Sequence, residues 1–94
     1  MLEKPAYNEE FRTLDFSLQL AAGETISSAT VTIVDNSTGS DCSADMIASV
    51  APYNSTMVKY TLKGGTTGQV YLRTFRITTS TGQKLEERVA LRVV

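Results

Sequence analysis

Hydrophobic and polar residues alternate along most of this chain. From Arg12 to Leu20, Leu14, Phe16, Leu18 and Leu20 fall on one side, with Thr13, Asp15, Ser17 and Gln19 on the other. A period of two is that of an extended strand with one buried face. Ala21-Ala22-Gly23-Glu24 breaks the pattern. It resumes over Ile26 to Val34, with Val31 and Ile33 opposed to Thr30 and Thr32, and ends at the turn-forming run Asp35-Asn36-Ser37-Thr38-Gly39-Ser40.

Asp41 to Val50 supports two readings. Met46, Ala48 and Val50 alternate and predict a short strand, while Met46, Ile47 and Val50 also fit one helical turn after a cap at Ser43. A loop is expected at Ala51-Pro52-Tyr53-Asn54-Ser55, followed by a strand over Met57 to Leu62 with Val58, Tyr60 and Leu62 on one face. Lys63 to Gly68 reads as a glycine-rich turn, in which glycine takes positive φ without steric cost.

Gln69 to Thr79 is the longest β-rich stretch. Of its two faces, Tyr71, Arg73, Phe75 and Ile77 form the more aromatic one and are predicted to point inward. Arg73 then sits awkwardly; its side chain is expected to reach the sheet edge, with the stem packed and the charge in water. Ser80-Thr81-Gly82-Gln83 closes a hairpin to Lys84–Val94, where Leu85, Val89, Leu91 and Val93 share a face. The spacing of Leu85, Val89 and Val93 also allows a C-terminal helix.

Thirteen Thr and nine Ser in 94 residues suit pleated, half-buried surfaces. Six or seven short strands and one-faced patterning predict one all-β domain over residues 1–94, an antiparallel β-sandwich of about seven strands, with residues 1–9 as a flexible or edge arm. A chain this short buries only about 60–65% of its unfolded surface, so its apolar residues serve one modest core.

Composition removes several chemistries. There is no histidine, and Cys42 is alone, so the chain has no His-based general base, no soft-ligand metal site and no intramolecular disulfide. Asp15, Glu24, Asp35, Asp41 and Asp45 are expected as solvated carboxylates in loops or on outer faces. The run Asp35 to Asp41 lacks the alternating ligands and the bidentate glutamate of a calcium loop. Lys63 to Gly68 lacks the order of a phosphate loop and the helix behind it. No enzyme activity, cofactor or metal is expected. Asn36-Ser37-Thr38 and Asn54-Ser55-Thr56 match the glycosylation sequon but read as turn residues. The first ten residues hold no apolar core of a signal peptide, and no apolar run approaches the ~20 residues that span a bilayer. Synthesis in the cytoplasm and no membrane partner are therefore expected.

Net charge is −1, yet the halves differ. Residues 1–47 hold two basic against eight acidic side chains, a balance of −6, and residues 48–94 hold seven against two, a balance of +5. Either strands from the two halves lie side by side and neutralise one another, or the module is polarised and docks on copies of itself or on a partner. Nucleic acid is not an expected partner, because the overall balance is acidic and no basic run is interleaved with aromatics. Tyr7, Tyr53, Tyr60 and Tyr71 can pack in the core with hydroxyls at the rim, or line a binding surface. Tyr53, in its predicted loop, is the one placed for external contact. Tyr53, Arg73, Arg76, Arg88 and Arg92 are the candidate partner-binding residues.

Two stretches carry a resemblance. Leu14-Asp15-Phe16-Ser17-Leu18-Gln19-Leu20 followed by Gly23-Glu24-Thr25-Ile26-Ser27-Ser28-Ala29-Thr30-Val31-Thr32 is one. The other runs from Leu62-Lys63-Gly64-Gly65-Thr66-Thr67-Gly68 through Tyr71 and Ile77-Thr78-Thr79-Ser80-Thr81-Gly82 to Glu87-Arg88 and Leu91-Arg92-Val93. In this order, and over about two-thirds of the chain, they resemble a family of small phage and prophage structural proteins of the fiber-tail adaptor type. The resemblance implies an immunoglobulin-like sandwich and a virion-associated adaptor or accessory role, with self-association or neighbouring virion proteins as partners, and it carries over no catalytic residue. Members often have tryptophan where Phe16 or Val31 stands, and a small or apolar residue in place of Arg73. The competing expectation is a carbohydrate- or surface-binding β-sandwich module using Tyr53 and the end loops.

Overall fold

The computed structural model describes residues 2–94. Its seven strands are β1 (Leu2–Lys4), β2 (Glu10–Asp15), β3 (Ile26–Asp35), β4 (Ile47–Tyr53), β5 (Met57–Leu62), β6 (Val70–Thr79) and β7 (Lys84–Val93), with one helical turn, α1 (Ser43–Met46), before β4. They form a four-stranded sheet in the order β1-β7-β6-β3 and a three-stranded sheet in the order β2-β5-β4. All pairings are antiparallel except one: β1 runs parallel to β7, Leu2 to Lys4 beside Leu91 to Val93. The chain is thus all-β, as its patterning predicts, and the C-terminal helical alternative is excluded.

The alternation of side chains places the core. Val58, Tyr60 and Leu62 of β5 face Tyr71, Phe75 and Ile77 of β6, with Val31 and Ile33 of β3 and Leu91 and Val93 of β7 completing one apolar cluster. The Tyr60 and Phe75 rings meet edge to face at 5.1 Å between centroids, a geometry that sets the positive ring edge against a negative face. Removing each such side chain from water stabilises the fold by about 1.5–3 kcal/mol.

Three local expectations are corrected. The strand from Arg12 stops at Asp15, because the Asp15 carboxylate accepts the Ser17 N–H at 2.8 Å and starts a turn closed by the Gln19 N–H on the Phe16 carbonyl. Phe16 stays in the core, its N–H bonded to the Thr56 carbonyl, but Leu18 is fully exposed. Over 41–50 the chain uses both structures in succession. Asp41 holds the Ser43 N–H and hydroxyl, one turn forms with Met46 buried, and Ile47 then turns extended. Ser43 is the first residue of this turn rather than its cap. Finally, Ala51 to Tyr53 belong to β4. Pro52 is admitted because β4 is an edge strand that needs no donor on its outer side, and the connection shrinks to 54–56.

Buried charges latch both ends. Lys4 is fully buried, and its ammonium donates to the carbonyls of Pro5 at 2.7 Å and Gly64 at 2.8 Å, tying the N-terminus to the glycine-rich loop. Burial holds its pKa below the usual lysine value. At the other end Glu24, expected in solvent, is buried. Its carboxylate accepts from Thr79 Oγ1 at 2.6 Å, from Thr81 Oγ1 and from the Ala21 N–H at 2.9 Å, joining the 21–25 turn to the β6–β7 hairpin. Those hydroxyls, Thr79 first, and the amide hold its pKa below the usual carboxylate value.

Two predictions follow from these ends. Gly65 has φ +92, and a Cβ there would lie 2.7 Å from Val93 Cγ2 and 3.0 Å from Met46 Cε. Gly65→Ala is expected to cost about 1–3 kcal/mol in urea unfolding; Gly82→Ala, also at positive φ but in open space, is expected to cost less. Because the folded-state pKa of Glu24 is depressed, its carboxylate contributes stability that is present above the unfolded value, about 4.3, and is lost as pH falls through the folded value. The stability gap between wild type and Glu24→Gln should therefore be wider at pH 6 than at pH 3; a gap independent of pH would refute the latch.

Candidate interaction surfaces

With its inner faces spent on the core, the molecule presents two outer sheet faces. Cross-strand register on the four-stranded sheet sets Arg76 opposite Glu86, Thr74 opposite Arg88 and Val70 opposite Arg92, with Glu3 of β1 on the other side of Arg92. Arg76, Arg88 and Arg92 are exposed there together. Glu86 accepts from Arg76 Nε at 2.7 Å and from Arg88 Nε at 3.0 Å, and these guanidinium partners hold its pKa low. An open groove of about 340 Å³ runs along this face, lined by Thr30, Arg76, Lys84 and Glu86 among others. Exposed pairs of this kind contribute roughly 0–1 kcal/mol, so they orient the arginines without committing them.

The opposite face belongs to the three-stranded sheet. Tyr53 of β4 lies there, 42% exposed, with the ammonium of Lys59 on β5 5.2 Å from its ring centroid. Phe11 on β2, 79% exposed, flanks the same ammonium at 5.4 Å. Phe11 was not among the sequence candidates. The signal for it was present but weak: an aromatic one residue out of phase with Leu14 and Phe16, hence on the outer side of its strand. Of the other tyrosines, Tyr60 and Tyr71 are buried, Tyr71 accepting the Thr66 N–H on its hydroxyl, and Tyr7 is exposed.

Arg73 is corrected. It lies on β6, a central strand, with only 3% of its surface exposed, so it reaches no edge and is not on either outer face. Nη1 donates to the Tyr60 hydroxyl at 2.5 Å, and the guanidinium stands 5.6 Å from the Phe75 ring centroid. Its Nε has no partner. Burial lowers the Arg73 pKa and raises that of Tyr60. Strands of the two halves lie side by side, with Glu3 of β1 opposite Arg92 of β7, while among the described residues the ion pairs are Arg12–Glu10, Arg76–Glu86 and Arg88–Glu86, each within one half.

Among the described residues no group of three or more His, Cys, Asp or Glu gathers, and no helix is long and apolar enough to cross a membrane. The family model described as Podophage GP4 fiber-tail adaptor protein gp77 matches residues 9–92. The chain belongs to that family. It is therefore one of a group of phage structural adaptors, which are virion proteins by class. No match is found among curated proteins.

For this family member the buried Arg73 is a liability rather than a contact, since a guanidinium among neutral partners recovers little of its desolvation cost. Tyr60→Phe is expected to lower stability by about 1–3 kcal/mol by removing its partner. The double variant Arg73→Met/Tyr60→Phe, which replaces both ends with apolar groups, should be as stable as wild type or more so in urea unfolding. A double variant less stable than wild type would show that the pair is net stabilising.

Proposed function

We propose that the chain is a non-enzymatic component of a phage or prophage virion, which joins neighbouring structural proteins, or copies of itself, by packing its outer sheet faces against them. It is made in the bacterial cytoplasm and carried into the particle. The observation that supports this reading most is the placement of Arg76, Arg88 and Arg92 on one outer face and Tyr53 on the other, because an adaptor needs two surfaces that can be occupied at once. Arginine and tyrosine are the residue types most enriched where interfaces draw their energy. Arg76 and Arg88 share one carboxylate, Glu86, so donors remain for a partner's carboxylates in the planar, bidentate geometry that guanidinium favours.

The test is particle assembly with Arg76→Glu/Arg88→Glu/Arg92→Glu. All three side chains are exposed, so the variant should melt within a few degrees of wild type by circular dichroism, while the amount of the protein in purified particles falls at least tenfold. Undiminished incorporation would refute a role for this face. Light scattering at low and high salt separates the partners: salt-sensitive oligomers indicate self-packing, and a monomer at high concentration indicates a different protein.

A further inference from the structure

The face opposite the arginines carries an arrangement whose chemistry names its occupant. Across three adjacent strands stand Phe11, Lys59 and Tyr53, with the ammonium held between two exposed rings at 5.4 and 5.2 Å from their centroids. Met57 and Ala51 continue the apolar surface, and Ser49 and Thr61, hydrogen-bonded to each other at 2.9 Å, border it. Aromatics and methionine around a single central cation are the composition of an interface core rather than of ordinary solvated surface. The ring faces attract the cation and so position it, yet Lys59 makes no hydrogen bond or ion pair among the described residues. Its three donors remain open. Asp15, at the far end of β2, is engaged by its own turn through Ser17.

Charge and size decide what fits. A two-fold pairing of this face about Lys59 would bring two ammonium groups together at the centre, with the carboxylate of the face, Asp15, at its end beside Met57 and turned to Ser17, which costs affinity. Three strands of six or seven residues make a face about 20 Å by about 14 Å. A single extended segment matches that footprint. We propose that the outer face of the β2-β5-β4 sheet binds an extended acidic segment of another virion protein, with an Asp or Glu carboxylate paired to Lys59 and the segment's apolar side chains covering Phe11 and Tyr53. This rests on the adaptor reading above and adds the chemistry of one partner.

A carbodiimide, which condenses an ammonium and a touching carboxylate into an amide with loss of water, tests this in intact particles. Mass spectrometry is expected to find Lys59 linked to an Asp or Glu of a different protein. Acetylation of Lys59 should be at least tenfold weaker in particles than in the free protein. Lys59→Glu and Phe11→Ser, both at exposed positions, should reduce incorporation at least tenfold with unchanged melting, and Lys59→Arg should preserve it. Full acetylation of Lys59 in particles that contain the protein would overturn this proposal and leave the adaptor reading standing; absence of the wild-type protein from particles would overturn both. Links from Lys59 only to other copies of this chain would reassign the face to self-packing. Binding of polygalacturonate by the free protein, lost in Lys59→Glu, would reassign it to an anionic glycan.

Discussion

The fold depends on one constraint: every second side chain of β5 and β6 must find apolar company across the gap between two sheets. Val58, Tyr60 and Leu62 meet Tyr71, Phe75 and Ile77 there, and the edge-to-face contact of Tyr60 and Phe75 lies at the middle of this layer. Once these strands are fixed back to back, parity alone sends Lys59 and Arg76 to opposite outer faces. The outer faces are therefore a by-product of the core, and a slip of register by one residue would exchange outer residues for core residues.

Polar groups inside the sandwich are handled in three ways. Lys4 is solvated by backbone carbonyls and Glu24 by hydroxyls and an amide, so each charge is met by hydrogen bonds rather than by a counter-ion. Both act as clasps between segments far apart in sequence, which compensates for a core of limited size. Arg73 is different, because its one good partner is a neutral phenol and Nε is left bare. The resemblance to small phage structural proteins implies a small or apolar residue at this position, and the geometry supplies the reason: the position faces the core.

The charges of the two halves meet where their strands pair, as Glu3 and Arg92 do, without closing an ion pair among the described residues. The basic second half of the chain supplies the outer face of β6 and β7, where Glu86 tempers but does not neutralise the arginines. Lys59, from the same half, goes to the other sheet and is held by rings. The two outer faces thus differ in kind, one a planar field of guanidinium groups and the other a small aromatic platform around a single ammonium, and a connecting protein with unlike faces can discriminate its partners.

By itself the sequence determined the strands and their parity: β3, β5, β6 and β7 all turn inward the residues that their alternation marks, because a period of two leaves one buried set per strand. It also determined the absence of histidine and of a second cysteine, and the resemblance pointed to the phage adaptor family. Long-range packing settled the rest. Local hydrogen bonds of Asp15 and Asp41 ended or began elements that hydrophobic pattern would have continued. The position of β6 at the centre of its sheet buried Arg73, and the meeting of the 21–25 turn with the β6–β7 hairpin buried Glu24. Phe11, Lys59 and Tyr53 became neighbours through the lateral order β2-β5-β4, and lateral order depends on which strands pair across long loops, a choice that alternation within each strand does not encode.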